Sequence, residues 1–547
     1  MYILGVNAGP ATFHDASACV VDGEGRVLAF IEEERLSRVR HAPGAMPVLA
    51  VAHCLRVAGI SWSDVDVVAT GWDIPRMSAR WGEEWKFPSA IDFLRALGLP
   101  RNERSPDLQF VPHHRAHAAS AFHASAKQVA GVLVVDGNGE DESISIFRAE
   151  RGKPMVRLRR WARSTSLGYM YDSVSDFLGL GLLNAGKTMG LAAYGRQSGV
   201  ADPGWINVEG GELRSAVGDD ELIGYRTLMP LWREVLRNYA DGDISTPDSE
   251  LLHEDAAAVK LAWAAQANVE SILPWLVEET RRLVGVDDVC IAGGVGLNCA
   301  ANGRLPGSVF VPPVPHDGGV SLGAAWFVAQ PAAATVFSAY TGGAPGPATK
   351  DQDIGKVTDI DIDKIAEALA AGLVGAICRG PSEVGPRALG HRSILASPSS
   401  ADMQNRLNVM KDRERWRPFG PVTNVPLDEA APWWDGGGEL ERYMVGASSV
   451  SARGHAELPA VTHVDGTTRP QRLARRDEPV LDGVLSALGS IGHPQALVNT
   501  SLNGRGEPLV ETADEALSCA ARIGLDFIIV NDDVHLISRE SKRSSLS

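Results

Sequence analysis

With 547 residues, the chain is too long for a single hydrophobic core, so two or more domains are expected. Its hydrophobic fraction of 44% and charged fraction of 22% are typical of a soluble globular enzyme. The formal net charge of -16 argues against a surface that binds nucleic acid over the whole molecule, although it is compatible with a local basic pocket.

The sequence carries no signal for membrane insertion. Residues 1–7 lack a basic segment followed by an apolar block, so they predict a first strand rather than a leader peptide. No apolar stretch is long enough to cross a bilayer, which predicts a protein without a membrane partner. The six cysteines are scattered and form no CxxC pair, which predicts reduced thiols in the cytoplasm.

The first sixty residues show a clear order of strands and helix. Short apolar runs at 3–6, 16–21 and 27–31 predict three strands, with a polar loop after the first and a glycine turn before the third. Helical periodicity follows from Met46 to Val57.

The same order of elements returns further along the chain. Strands are predicted at 131–135 and 143–147, with a third candidate at 156–158, and a polar loop begins at Asp136. Two copies of strand, polar loop and hairpin predict a duplicated actin-like (ASKHA) ATPase fold, in which the loops of Asn7 and Asp136 face a cleft for phosphate and metal. Two unrelated hairpins are the alternative, and the matching order favours the duplication.

A glycine-rich loop separates a later strand from a helix. Strand 289–292 leads into Gly293 and Gly294, and Asn298 lies where the helix begins. Backbone amides of such a loop can approach a phosphate, so these three residues are candidate nucleotide contacts, although many α/β turns share the pattern.

Composition changes between residues 330 and 357, where Pro, Gly and Ala replace the periodic patterns. This predicts a linker, after which an amphipathic helix at 360–373 and a strand at 374–378 open a second α/β unit. The predicted domains are therefore residues 1–345 and residues 346–547.

Four residues form a candidate divalent-metal site. His113 and His117 are four residues apart, which puts both imidazoles on one face of a predicted helix. Asp136 ends an apolar strand, and Asp317 lies in a His-Asp-Gly-Gly loop before an apolar helix. Two imidazoles and two carboxylates suit iron, zinc or manganese.

His14 lies in the loop before the second predicted strand, which a duplicated actin-like fold would bring to the cleft. Because the pKa of imidazole lies near neutral pH, His14 is a candidate general base toward an alcohol. A histidine that only packs beside Asp15 is the alternative.

Residues 181–188 match the phosphate-loop pattern GxxxxGK[ST]. The preceding segment is a poor strand and the interior of the loop lacks glycine, so we interpret the match as coincidental. Lys187 is kept as a candidate contact for a nucleotide phosphate.

A basic cluster occupies the start of the second α/β unit. From Arg379 to Arg417 the sequence has eight Lys and Arg against four Asp and Glu, a balance that favours an anionic substrate. Arg387 and Arg392 lie among Gly, Pro and Leu and are expected to face a pocket, whereas the charges at 412–415 also fit a solvated helix.

Asn499 and Asn503 follow a predicted strand at 496–498, in a segment rich in small hydroxyl and amide residues. Such groups at a strand end suit hydrogen bonding to a nucleotide, and they serve equally well as turn residues.

Together these motifs resemble the O-carbamoyltransferases of antibiotic and nodulation-factor biosynthesis, the NodU/CmcH family, which includes nebramycin synthetase. The similarity covers nearly the whole chain. It implies an N-terminal actin-like domain and a C-terminal YrdC-like domain. The motifs that carry it are FHDASA, EEER, HHRAHA, VVDGNGE, GKTMGLAAYG, GGVGLN, GPRALGHRSILA and NTSLNGRGEP.

The resemblance also implies a chemistry. The C-terminal domain would convert carbamoyl phosphate and ATP to carbamoyl adenylate, with Arg387, Lys411 and Arg417 where the family holds carbamoyl phosphate. The N-terminal domain would transfer the carbamoyl group to a hydroxyl, expected on a sugar of a secondary metabolite. There His14 would act as the base, and the candidate metal site would hold an iron-type ion, Fe2+. One departure is His316, where the family usually has Gly in a GDxG sequence.

The residues also argue against other functions. A metallohydrolase would use the histidine pair, but His114 stands where the HExxH motif has its glutamate. An actin-like ATPase or small-molecule kinase would not need the basic C-terminal domain, and a nucleotide-binding scaffold would not need His14 and the metal set. The residues do not define the acceptor, and they leave a homodimer open.

Overall fold

The structure, a computed structural model, describes residues 1–9, 13–81, 87, 89–219, 224–242, 244, 248–334, 337–349, 357–436 and 438–537. The chain divides into two compact units. The first unit contains Met1–Ser37 and His41–Ser338, and the second contains Arg38–Arg40 and Ala339–Ser547.

Two five-stranded sheets form the framework of the first unit. The first sheet contains β1 (Tyr2–Asn7), β2 (Ser17–Asp22), β3 (Val27–Glu32), β4 (Val67–Thr70) and β5 (Asp107–Phe110). The chain continues with β6 (Val129–Val135), β7 (Glu142–Glu150), β8 (Val156–Ala162), a separate hairpin of β9 (Ile206–Glu209) and β10 (Glu212–Ser215), and then β11 (Val289–Ala292) and β12 (Val309–Phe310).

The two sheets have the same topology. The strand order is β3-β2-β1-β4-β5 in the first and β8-β7-β6-β11-β12 in the second. In each sheet, the central strand (β1 or β6) pairs antiparallel with the next strand of the chain, β2 or β7. On its other side it pairs parallel with β4 or β11. The repeated strand order confirms the predicted duplication and the actin-like fold class. The central strands β1 and β6 are buried almost throughout, which explains why they are continuous apolar runs in the sequence.

Helices connect and cover these sheets. They are α1 (Glu33–Ser37), α2 (Val48–Ala58), α3 (Ile74–Trp81), α4 (Ala90–Ala96), α5 (His113–Ala124), α6 (Leu167–Phe177), α7 (Ala185–Gly195), α8 (Tyr225–Ala240), α9 (Ala256–Val284), α10 (Cys299–Asn302) and α11 (Val320–Ala329).

Helices α5 and α11 pack in close contact. A Cβ atom added at Gly323 of α11 would lie 1.9 Å from the carbonyl oxygen of Ala116 on α5. The hydroxyl of Ser17 on β2 donates to the carbonyl of Gly318, 2.8 Å away, and so ties the start of α11 to the first sheet. Small residues at these contacts therefore set the distance between the two helices.

The second unit is an α/β domain built on a mixed sheet. Its strands are β13 (Val357–Asp359), β14 (Gly375–Cys378), β15 (Arg392–Ala396), β16 (Gly420–Thr423), β17 (Trp434–Asp435), β18 (Ser448–Val450), β19 (Thr467–Thr468), β20 (Gln471–Arg472), β21 (Ala496–Ser501), β22 (Phe527–Val530) and β23 (Asp533–Leu536). Eight of them form one sheet in the order β13-β23-β22-β14-β15-β21-β16-β20, and β17, β18 and β19 form a smaller one.

Helices cover both faces of the larger sheet. They are α12 (Ile362–Ala370), α13 (Asp402–Met410), α15 (Pro479–Ser490) and α16 (Ala513–Ile523), while α14 (Ala452–Glu457) packs against β18 of the smaller sheet. Because side chains alternate along a strand, Ile377 of β14 joins the core under α12 and α15, while Ala376 and Cys378 join the core under α13 and α16. This two-faced burial agrees with the predicted α/β class.

Part of the segment predicted as a linker is bonded to the second unit. The amide of Val384 donates to the carbonyl of Ala339 at 2.8 Å, and the amide of Ser382 donates to the carbonyl of Gly343 at 2.9 Å. The boundary between units therefore falls after Ser338, whereas the composition placed it at 345.

Two further sequence expectations concern membranes and thiols. Within the described ranges, none of the helices combines the length and the apolar character needed to cross a membrane. All six cysteines are buried free thiols, as the sequence predicted.

The contact between α5 and α11 gives a testable prediction. Gly323→Ala should lower the thermal unfolding midpoint of the full-length protein, because the added methyl group overpacks the contact at a cost of about 1–3 kcal/mol. Gly186→Ala is the matched control, since no atom lies within 4 Å of a Cβ added there and alanine favours a helix. Circular dichroism measures both midpoints, and equal values would contradict the close contact.

Candidate active site

Four chelating side chains meet in the first unit. His113 and His117 lie in the first turns of α5, Asp136 follows the last residue of β6, and Asp317 opens the turn before α11. Their potential ligand atoms all lie within 4.8 Å of one another. The duplicated fold brings these residues together because strand and helix ends of both halves face the same region of the first unit.

The distances among these four side chains suit a metal ion. Nε2 of His113 lies 3.0 Å from Nε2 of His117 and 3.5 Å from a carboxylate oxygen of Asp136 and of Asp317. Nε2 of His117 lies 3.3 Å from Asp317 and 4.0 Å from Asp136. Two nitrogen ligands about 2.1 Å from one ion lie roughly 3.0–3.4 Å apart, so the set matches a divalent cation in both donor type and spacing.

A layer of contacts fixes the orientation of His113. Its Nδ1 atom lies 3.1 Å from the carbonyl oxygen of Gly71 and donates to it, so Nε2 is the nitrogen that faces the other three side chains. The indole of Trp72 stacks on the imidazole, with ring centroids 3.5 Å apart. Glu140 accepts hydrogen bonds from the amides of His113 and Asp73, each at 2.9 Å, and so holds the beginning of α5.

Sequence reasoning missed Trp72 and Glu140. Glu140 was visible as the final residue of the VVDGNGE motif, four positions after Asp136. Its role follows from the position of a helix terminus that only the fold reveals.

The electrostatics of the site favour positive charge. Burial opposes ionisation of His113, but the charges and hydrogen bonds of Asp317 and Asp136 outweigh it and raise the pKa of His113 to about 10. Burial likewise opposes ionisation of Asp317, yet the neighbouring histidines hold its pKa well below the usual range. Both shifts have the direction expected of carboxylates that attract a cation.

The glycine loop contacts one of the four candidate metal ligands directly. The amide of Gly294 donates to Oδ1 of Asp136 at 2.7 Å. Gly293 has a positive φ of 92°, and a Cβ there would lie 2.2 Å from the carbonyl oxygen of Val135. The loop therefore needs glycine in order to approach Asp136, and nucleotide binding by these glycines stays a prediction.

Asn298 serves the fold through both ends of its amide. Its Oδ1 caps α10 by accepting from the amide of Ala301 at 3.0 Å, and its Nδ2 donates to Gln266 at 3.0 Å. These bonds give Asn298 a structural role, and its nucleotide contact stays a prediction.

His14 lies near enough to the four candidate metal ligands for the charges of Asp317 and Asp136 to act on its imidazole. Its Nδ1 is 2.8 Å from Oδ2 of Asp15, and 34% of its side chain is exposed. Burial works against the charged imidazole, but the hydrogen bond and charge of Asp15, with smaller contributions from Asp317 and Asp136, raise the pKa of His14 to about 10. His14 therefore pairs with Asp15, as the alternative expected, and its role as a base stays a prediction.

The GxxxxGK[ST] match lies between two helices. Helix α6 precedes it, Lys187 lies in the first turn of α7, and the hydroxyl of Thr188 bonds to that of Ser175 at 2.7 Å. A phosphate loop requires a preceding strand, so the interpretation of this match as coincidental agrees with the fold. A phosphate contact by Lys187 stays a prediction.

In the second unit, Lys411 is buried directly after α13. Its Nζ donates to the carbonyl and to Oδ1 of Asn503, at 2.9 and 2.8 Å, and to the carbonyl of Ser501 at the end of β21. Burial, together with the charge of Arg413, holds the pKa of Lys411 well below its usual range. The structure thus brings two predicted site residues, Lys411 and Asn503, into direct contact.

Arg413 and Arg417 belong to the same basic loop as Lys411. Helix α13 ends at Met410, so the loop is not the charged helix that was the alternative. Arg413 donates to Oδ1 of Asn408 at 2.5 Å and lies 4.1 Å from the ring centroid of Phe419. Burial lowers the pKa of Arg417, against the attraction of Glu414. The loop therefore concentrates positive charge, as binding of a phosphate requires.

Arg392 has a different role from the pocket residue that the sequence predicted. It is fully buried, and its guanidinium donates to the backbone carbonyls of Arg379, Gly380, Gly343 and Glu511. Several carbonyl acceptors satisfy its donors, so Arg392 stabilises the loops around it.

Arg387 and Asn499 belong to the region around β21. The amide of Asn499 donates to the carbonyl of Ala388 at 2.9 Å and to Gln471 at 2.6 Å, and so holds the loop of Arg387 against the strand. The same strand ends at Ser501, which accepts from Lys411. Strand β21 thus supports both loops that carry predicted carbamoyl phosphate contacts, and the contacts themselves stay predictions.

The buried lysine gives a prediction on pH and stability. Because the pKa of Lys411 is below its ordinary value of 10.5 in the folded state, the unfolded chain binds more protons. The free energy of unfolding of the wild type, relative to Lys411→Met, should therefore fall as pH is lowered below about 10, by up to about 1.4 kcal/mol per pH unit.

Urea unfolding at two pH values in this range measures the difference. The exposed Lys364, whose Nζ pairs with Asp361 at 2.8 Å, supplies the control variant Lys364→Met. If the unfolding free energies of Lys411→Met and Lys364→Met, each compared with the wild type, depend on pH in the same way, Lys411 is charged in the folded state.

Comparison with known proteins assigns the chain to a family. A sequence model described as carbamoyltransferase N-terminus matches residues 2–84 and 81–326, and one described as carbamoyltransferase C-terminus matches residues 366–537. Nodulation protein NolNO of Sinorhizobium fredii is 30% identical over 95% of this chain and 79% of its own length. Nodulation protein U of Rhizobium fredii is 28% identical over 92% of this chain and 90% of its own.

Solved structures also align with the chain. HypF of T. kodakarensis aligns with 60% of this chain and 48% of its own, at 16% identity and a TM-score of 0.36.

Proposed function

The chain belongs to the carbamoyltransferase family, and on that premise we propose that it is an ATP-dependent O-carbamoyltransferase that acts through carbamoyl adenylate. The observation that carries the proposal is that one chain contains a site suited to a cation and a site suited to an anion. The first unit has a metal-type cluster beside a histidine, and the second has a buried basic loop.

The basic loop suits the activation step. In the proposal, Arg387, Lys411 and Arg417 hold the phosphate of carbamoyl phosphate, and Asn499 and Asn503 contact the nucleotide, as does Lys187 with Gly293, Gly294 and Asn298 in the first unit. Formation of carbamoyl adenylate then releases pyrophosphate from ATP and inorganic phosphate from carbamoyl phosphate, with one water consumed. A phosphate beside Lys411 stabilises the charged ammonium, so we expect substrate binding to be coupled to proton uptake.

The first unit suits the transfer step. The oxygen of the acceptor hydroxyl attacks the carbonyl carbon of the adenylate, its proton goes to Nε2 of His14, and AMP leaves with the electron pair of the broken C–O bond. His113, His117, Asp136 and Asp317 would hold a divalent cation, which supplies charge stabilisation to phosphate oxygens when bound.

The metal ion, the cellular location, the acceptor and the oligomeric state are further parts of the proposal. The mixed nitrogen and oxygen donor set supports a borderline ion such as Fe2+. The buried reduced thiols support a cytoplasmic location. We propose a sugar hydroxyl of a secondary metabolite, as in antibiotic biosynthesis, as the acceptor, and a homodimer as the oligomeric state to test.

The division of labour between the units can be tested with two variants. Lys411→Ala should reduce pyrophosphate release from ATP and carbamoyl phosphate by about 10²-fold or more, because it removes the cation that faces the phosphate. His14→Asn should leave pyrophosphate release intact and reduce carbamoyl transfer to tobramycin, a hydroxyl-rich probe, by about 10²–10⁴-fold. Lys364→Ala is the control for charge removal in the second unit.

The same assay can refute the proposed reaction. ADP as the product in place of AMP and pyrophosphate would indicate an actin-like ATPase, and nucleotide binding without any product would indicate a scaffold. Equal loss of pyrophosphate release in both variants would refute the separation of the two steps.

The metal site can be tested by titration with Fe2+ and Zn2+. His117→Ala should weaken binding by about 10²-fold or more, because it removes one of four ligands. His123→Gln is the matched control, since His123 is a buried histidine of the same helix that lies beside Arg151 and outside the cluster. Chelation should abolish carbamoyl transfer and spare pyrophosphate release, and equal affinities of the two variants would contradict the assignment.

A further inference from the structure

The loop that carries the proposed base shares one carboxylate between two imidazoles. Nδ1 of His14 lies 2.8 Å from Oδ2 of Asp15, and Nδ1 of His41 lies 2.8 Å from Oδ1 of the same side chain. Since the oxygens of a carboxylate only accept, each imidazole donates its Nδ1–H. Nε2 of His14 is then the nitrogen that can take up a proton.

Asp15 is ionised in this arrangement. Burial opposes its charge, but the hydrogen bond and charge of His14 outweigh burial and hold the pKa of Asp15 far below its usual range, with a further hydrogen bond from His41. The carboxylate is buried, whereas a third of the His14 side chain is exposed. The pair therefore has a fixed anion behind an accessible base.

The backbone holds Asp15 in a conformation that residues other than glycine rarely adopt. Its φ is 56°, its amide donates to the carbonyl of His41 at 2.6 Å, and its carbonyl accepts from Nδ2 of Asn7 at 2.9 Å. His41 is also left-handed, with φ 62°, and its amide donates to Glu34 at 2.8 Å. Each such residue costs about 1–2 kcal/mol, so the surrounding bonds maintain a strained arrangement of the kind that clusters at functional sites.

We propose that Asp15 and His41 are positioning residues for His14. Asp15 fixes the Nδ1–H tautomer and the ring orientation of His14, and His41 holds the Asp15 carboxylate in place. The inference rests on the proposed function, in which Nε2 of His14 takes the proton of the acceptor hydroxyl. The imidazolium so formed is stabilised by Asp15, which stays ionised.

A second metal centre is the competing interpretation of these residues. Asp15, Glu34 and His41 bring ligand-type atoms close together. Their direct hydrogen bonds, however, pair Nδ1 of His41 with Oδ1 of Asp15 and the His41 amide with Glu34. Those bonds favour a hydrogen-bonded assembly.

Other titratable groups of the first unit also act on this assembly. The pH–rate profile of a variant therefore has to be compared with that of the wild type, because one profile alone contains the contributions of all these groups. These groups are Glu34, Asp136, Asp172, His316 and Asp317.

The test uses the full-length protein with ATP, carbon-14-labelled carbamoyl phosphate and four acceptor probes: tobramycin, glycerol, water alone and hydroxylamine. Asp15→Asn should lower carbamoyl transfer to the hydroxyl probes and to water by about 10²–10⁴-fold, in kcat rather than in KM, with pyrophosphate release within about twofold of wild type. Hydroxylamine attacks as a neutral amine without prior deprotonation, so its carbamoylation should fall by less than about tenfold.

His41→Gln is the second variant, and it leaves both His14 and Asp15 in place. It should reduce hydroxyl transfer by about tenfold, and the double variant should be no slower than Asp15→Asn, because His41 acts through Asp15. Loss of the Asp15 charge should move the acidic limb of the pH–rate profile to lower pH. His53→Gln, on α2 and bonded to Arg56, is the control and should leave transfer unchanged.

The outcomes separate this inference from the proposed function. If His14→Asn transfers at the wild-type rate, the assignment of the base is wrong. If His14→Asn is inactive and Asp15→Asn is as fast as wild type, the positioning role is refuted. The positioning role would also be overturned if Asp15→Asn slowed transfer to hydroxylamine as much as transfer to the hydroxyl probes. The same holds if the wild type binds a metal ion that His41→Gln does not bind. If Asp15→Asn unfolds, His41→Gln alone decides, and a wild-type rate in that variant refutes the proposal.

Discussion

Like charges gathered in low-dielectric surroundings constrain both units of this protein. In the first unit, Asp136 and Asp317 point their carboxylates at one largely buried position. In the second, burial depresses the pKa of Lys411 beside two arginines. Such clusters are unfavourable by themselves, and a ligand of opposite charge would stabilise each of them. One unit is thereby suited to a cation and the other to an anion, a difference that the net charge of -16 does not reveal.

The duplicated fold has given two corresponding positions different tasks. Asp136 at the end of β6 directs its carboxylate toward the histidines. Asn7 at the end of β1 is neutral: its Nδ2 holds the carbonyl of Asp15, and its Oδ1 accepts from Nε1 of Trp72 at 3.2 Å. Because Trp72 also stacks on His113, the amide of Asn7 links the loop of the proposed base to the proposed metal site.

The sequence allowed prediction of whatever depends on periodicity or on spacing along one element. The duplicated strands, the facing pair His113 and His117, and the strand at 289–292 were all predictable in this way. Contacts between distant segments were not. Arg392 has the surroundings of a pocket residue in the sequence, and only the fold shows that backbone carbonyls surround it. The bond between His41 and Asp15 depends on two left-handed residues, which composition does not reveal.

The bonded segment that begins at Ala339 limits how the two halves of such proteins can be exchanged. A recombination event at residue 345, where the composition changes, would leave Gly343 with the first unit and Arg392 with the second. A residue other than glycine at position 342 would then clash with the second unit, because a Cβ there lies 2.1 Å from the hydroxyl oxygen of Ser382. Gene fusions that bring together halves of different origin should therefore have their breakpoints before Ala339, so that the segment stays with the domain it stabilises.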